Sequence, residues 1–144
     1  MMQKLVMQNF NKISDLEKLV SKDEIHKFGR TYHFNAIAMN KTGLKNLFKI
    51  ISLANTTYLY KSPRILRSKL NELREGLLIG SGCYESEVFI EARSKEGEEL
   101  TNIINFYDYV EVQPPEVYGH LLQTSDFSSE AELRNHIRKI VNAT

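Results

Sequence analysis

The chain has 144 residues, 42% of them hydrophobic, which suits one globular domain or a piece of one and is short for two. Its formal net charge is +1 with acids and bases interleaved, so the chain-wide basic field behind nonspecific nucleic-acid binding is missing. One cysteine excludes an internal disulfide and a multi-cysteine zinc knuckle, which fits a reducing, cytoplasmic setting, and no segment approaches the ~20 apolar residues of a membrane span.

The opening "MMQKLVMQNF" shows no clear period and reads as a tail or linker. Capping-box spacings at Ser14 with Glu17 and Ser21 with Glu24 then predict one or two short helices between Ser14 and Phe28. After Gly29, "TYHFNAIAMN" is apolar and β-tolerant, a buried strand over Thr31 to Asn40. From Thr42 the period changes, with Leu44, Leu47, Phe48 and Ile51 on one face of a helix to about Ala54.

"NTTYLYKSPR" reads as a loop closed by Pro63, "ILRSKLNEL" as a short helix and "LLIG" as a second strand. Helical spacing returns over Val88 to Arg93 and again at Leu100, Ile103, Ile104 and Tyr107. "YDYVEVQPP" alternates with period two until the prolines, a third strand. A capping box at Ser129 and Glu132 opens a last helix with Leu133, Ile137, Ile140 and Val141 on one face. Strands separated by helices imply an α/β fold with a mostly parallel sheet, and three strands without a closing partner suggest part of a larger sheet or barrel.

No GxGxxG, P-loop, HExxH, CxxC or GxSxG pattern occurs, so no independent active site is nominated. Cys83 stands after Gly80, Ser81 and Gly82, where the backbone can bend sharply; a strand-end ligand or nucleophile and a small turn residue both remain open. His33 has the same two readings, ligand or hydrogen-bonded packing residue. His26, His120 and His136 have polar neighbours and read as surface residues. Glu85 and Glu87 flank the turn as carboxylates able to support a ligand set, or sit at a helix start for the dipole. Arg64, Arg67 and Lys69 form a small basic cluster that suits phosphate or a solvated face.

Taken together, "YHFNAIAMNKTGLKNLFKIISLANTTYLYKSPRILRSKLNELREGLLIGSGCYESEVF" and "FYDYVEVQPPEVYGHLL" resemble the PHP (polymerase and histidinol phosphatase) domain of bacterial replicative DNA polymerases of the PolC type, over roughly Thr31 to Val141. The resemblance implies part of a distorted (β/α)7 barrel: residues 1–30 would be a connector with short helices following an inserted exonuclease domain, and residues 31–144 the C-terminal portion of the PHP domain. His33 and Cys83 fall on the family's metal-ligand positions, with Glu85 as a supporting carboxylate.

The implied cofactor is zinc or manganese in the intact domain, and magnesium for the parent polymerase. The opening His-x-His pair and the other ligands of the family have no counterpart here, so this segment is expected to hold an ion weakly or not at all. It is then a piece of a replicative polymerase, inactive alone, with the remainder of that chain and, through it, DNA as partners, and with self-association through an exposed edge or helix face. The alternatives are a metal-dependent phosphoesterase and a non-catalytic interaction scaffold.

Overall fold

Alternation in "RTYHFNAIA" decides the first sheet: Tyr32, Phe34 and Ala36 are buried, and His33 stands on the opposite side of the strand, half-buried. The structure is a computed structural model and describes residues 2–9, 26, 27 and 29–144. Two compact units are distinguished, Met1–Ile79 and Gly80–Thr144, and each is built from its own residues.

In the first unit β1 (Met2–Asn9) pairs antiparallel with β2 (Arg30–Ala38), from Met2 opposite Ile37 to Asn9 opposite Arg30. Met2–Asn9 is therefore a strand and not the tail or linker its sequence suggests. Its own pattern is weak, and it is specified by a partner strand more than twenty positions away, which single-segment periodicity does not register. The two-residue strand β3 (Ile65–Leu66), unrecognised in the sequence, runs parallel to β1, and with β4 (Leu77–Gly80) the sheet order is β3-β1-β2-β4. A mostly parallel sheet is thus corrected to a mixed one whose longest pairing is antiparallel. Of the helices expected between Ser14 and Phe28, only His26 and Lys27 lie within the described residues.

Helix α1 (Lys41–Asn55) starts where Asn40 Oδ1 accepts the Gly43 N–H at 2.8 Å, an N-cap. It packs against β2 and buries Gly43, Asn46, Leu47, Ile50 and Ala54, leaving Leu44 37% and Phe48 52% exposed. The buried stripe is rotated from the expected Leu44, Leu47, Phe48, Ile51 face by two contacts with the turn before β4. Gly43 lies against the Gly76 backbone, and Asn46 Nδ2 donates to the Glu75 carbonyl at 3.0 Å. The short α2 (Arg67–Glu72) follows β3 and buries Leu70.

The second unit contains α3 (Glu87–Glu91), α4 (Gly97–Ile104), a 3-10 turn at Pro115–Tyr118, α5 (His120–Gln123) and α6 (Glu130–Ala143). Phe89 organises its core: Tyr118 stacks on it at 5.0 Å between centroids, and Phe127 and His136 meet it edge-on at 6.2 and 4.6 Å. Ser129 caps α6 through Glu132 N–H at 3.2 Å, as its spacing predicts. The buried face of α6 is Leu133, His136 and Ile140, while Val141 is 51% exposed.

The third expected strand is not formed. Tyr109 makes an isolated parallel bridge to Gly80, after which the Glu111 N–H donates to Ser81 Oγ at 2.9 Å and the Gln113 N–H to the Tyr118 hydroxyl at 3.1 Å. Side-chain oxygens satisfy the donors that a ladder would have used. No described helix is long and apolar enough to cross a membrane.

Candidate metal-ligating residues

The loop after β4 is pinned at both ends, and that pinning displays the lone thiol. At its start Gly80 lies under the Tyr109 ring, where an added Cβ would come within 2.2 Å of the ring, and the Ser81 N–H donates to the Tyr109 carbonyl at 3.1 Å. Gly82 then takes φ 85°, a left-handed turn that favours glycine. At the loop's end the Ser86 N–H donates to the Cys83 carbonyl at 2.9 Å, and Ser86 Oγ accepts the Phe89 N–H at 3.2 Å. Cys83 is in no disulfide and is partly exposed, on the same loop as Tyr84 and Glu85. The Tyr84 ring meets His120 edge-on at 4.6 Å.

The carboxylate two positions on is differently employed. Glu87 is 2% exposed and accepts the Tyr107 hydroxyl at 2.9 Å, so it braces the base of α3. Nearby, burial pushes the Tyr118 phenol above its ordinary range; the Gln113 N–H opposes this, and the charges of Glu111 and Cys83 add to it. Tyr109 is raised for the same first reason, burial, with Glu111 again adding.

His33 belongs to the other unit. It is the fourth residue of β2, opposite Val6, on the strand face away from Tyr32, Phe34 and Ala36. That face is the polar one, carrying Asn35 as well.

Two histidines read as surface residues are buried. His26 is 7% exposed and meets the Tyr58 ring at 5.7 Å. His136, also 7% exposed, places Nε2 2.8 Å from the Phe89 carbonyl. Its position at i+3 from Leu133 and four before Ile140 was the available signal, masked by charged neighbours. His120 is exposed as expected.

The basic cluster does not hold together. Arg64 is 7% exposed, 5.3 Å over the Tyr60 ring, and donates to the His26 carbonyl at 3.4 Å, while Lys69 pairs with Glu72. Burial lowers the Arg64 pKa, with Tyr60 opposing. A phosphate site built on Arg64, Arg67 and Lys69 loses its first member to the interior.

Comparison with known proteins gives a consistent result. Residues 15–114 match the family described as PHP domain. The DNA polymerase III PolC-type of Bacillus subtilis (strain 168) is 47% identical over 126 residues, 88% of this chain and 9% of the relative. The proteins of the same name from Lacticaseibacillus paracasei and Oceanobacillus iheyensis are 41% and 37% identical, over 94% and 99% of this chain and 9% and 10% of their own. The chain spans about a tenth of the length of the curated relatives it matches.

Proposed function

Because the chain belongs to the PHP-domain family, we propose that it works as the segment of a PolC-type bacterial replicative polymerase that follows the inserted exonuclease domain. In this reading it holds the polymerase and exonuclease parts in register and supplies some of the ligands of the PHP metal site. The chain follows the exonuclease and supplies the C-terminal portion of a distorted (β/α)7 barrel, and β1 belongs to that portion and not to a connector because it pairs with β2. The observation that carries the reading is the pattern of coverage: 88–99% of the chain aligns to 9–10% of the length of each of these polymerases.

The donor chemistry supports the metal assignment. His33, Cys83 and Glu85 offer an imidazole nitrogen, a thiol sulfur and a carboxylate oxygen, a set that suits zinc and tolerates manganese. His33 lies on the polar face of β2 in its own unit, and Cys83 and Glu85 lie on a loop whose backbone is fixed by Ser81 and Ser86. A bound ion would supply Lewis-acid polarisation of a phosphoryl oxygen. The chain's own contribution is to hold the donors, and with the family's remaining ligands outside its sequence it does not catalyse alone.

The same donor set favours one second reading, a metal-dependent phosphoesterase. A chimaera decides between them: the 144-residue chain replaces the matching segment of the Bacillus subtilis relative. DNA synthesis by the chimaera with magnesium, alongside an isolated chain that releases no phosphate from a generic ester, is the expected result. Metal-dependent phosphate release by the isolated chain, abolished in Cys83→Ser, would put the hydrolase reading first.

A further inference from the structure

The exposed face of α1 joins two features that a solvated helix does not need. Leu44 is 37% exposed and Phe48 52%, one turn apart on the same side, and Met39, just before the helix, is 56% exposed. Lys41, Lys45 and Lys49 continue this face at four-residue steps, and the helix contains no acidic residue from Lys41 to Asn55. Among the described residues none forms an ion pair with these lysines. By contrast the lysines of α2 and of the loop after α3 pair with Glu72 and Glu91.

We propose that this face docks a complementary protein surface, an apolar pocket for Leu44 and Phe48 rimmed by acidic side chains, supplied by the polymerase chain outside these 144 residues. The proposal rests on the functional reading that the segment works within such a chain, of which it covers about a tenth. An apolar centre with a charged rim is the anatomy of a protein interface. A second copy of this chain is disfavoured, because it would bring two sets of three lysines together. A nucleic-acid backbone would use the lysines but leave Leu44 and Met39 without purpose.

The test is lysine footprinting by amine acetylation and mass spectrometry on the chimaeric polymerase and on the isolated chain. Lys45 and Lys49 are expected to react at least tenfold more slowly in the chimaera without DNA. Phe48→Asp should restore their reactivity there while leaving the melting temperature of the isolated chain within a degree or two. A chimaera that synthesises DNA yet shows unchanged lysine reactivity overturns the docking proposal and leaves the functional reading standing. A chimaera that makes no DNA removes that reading and the proposal with it. Protection that appears only on adding primer–template assigns the face to DNA, and protection of the isolated chain that grows with its own concentration assigns it to a second copy; either overturns the proposal.

Discussion

Gly43 and Gly76 meet backbone to backbone: a Cβ built on Gly43 would stand 1.8 Å from the Gly76 carbonyl oxygen. Gly76 has φ 75°, and its own Cβ would come within 2.5 Å of Asn40 Oδ1 and the Gly43 nitrogen. This contact seats the first turn of α1 on the entrance to β4 and selects which helix face is buried.

Gly43→Ala should therefore destabilise the chain by about 2–3 kcal/mol, at the upper end of overpacking costs, because the obstructing atoms are main chain and have no rotamer to change. Gly119→Ala is the control: its φ is −54° and the nearest contact to a new Cβ is 3.4 Å, so a change within roughly 0.5 kcal/mol is expected. Urea midpoints for the two variants decide the matter, and equal shifts would remove the backbone contact as the cause.

Tyr107→Phe removes the hydroxyl that donates to Glu87 at 2.9 Å, and Glu87 is 2% exposed. A buried carboxylate deprived of a donor costs about 1.5–3 kcal/mol. Glu87→Gln keeps an acceptor for Tyr107 without the charge, and should cost less. Thermal melts at neutral pH that rank the two variants in the opposite order would contradict this role for Glu87.

The His136 imidazole is held below its ordinary pKa chiefly by burial, helped by Arg93 and Lys139 and opposed by the Phe89 carbonyl and Glu132. A folded state that resists protonation binds fewer protons than the unfolded chain, so stability is full above the unfolded pKa, about 6.5, and falls as pH drops through the folded value. His136→Gln should flatten the decline between neutral pH and about pH 5. Asp126, held low by Thr124 and Arg93, and Glu132, held low by Ser128, would add losses only at lower pH. An unchanged slope in the variant between about pH 7 and pH 5 would assign the decline to other groups.

On the metal assignment proposed above, zinc titration of the isolated chain should give binding no tighter than micromolar, because that assignment calls for further ligands beyond His33, Cys83 and Glu85. Cys83→Ser should weaken it at least tenfold and Glu85→Gln by less, since the thiolate is the softer and stronger zinc ligand. Stoichiometric zinc that survives dialysis, and is lost in both His33→Ala and Cys83→Ser, would show instead that this chain supplies a complete site.

The sequence by itself determined most local elements. β2, α1, β4, the helices α3, α4 and α6 and the Ser129 cap were legible because strand alternation, helical spacing and capping act within a dozen residues, whereas α5 was not read. The family, too, was legible in the ordered series of motifs from "YHF" to "VQPP". Only the tertiary structure decided the rest, because the deciding contact lay far along the chain. Met2–Asn9 is a strand through its antiparallel partner β2, and α1 turns Leu44 and Phe48 outward because Gly43 and Asn46 are held by Gly76 and Glu75. The stretch after Tyr109 leaves the ladder because Ser81 and Tyr118 take its donors. His136 and Arg64 entered the interior for a related reason. Each is held by a carbonyl distant in the chain, His136 by Phe89 and Arg64 by His26, although Arg64 Nε is buried without a hydrogen-bond partner among the described residues, and such contacts have no period to read.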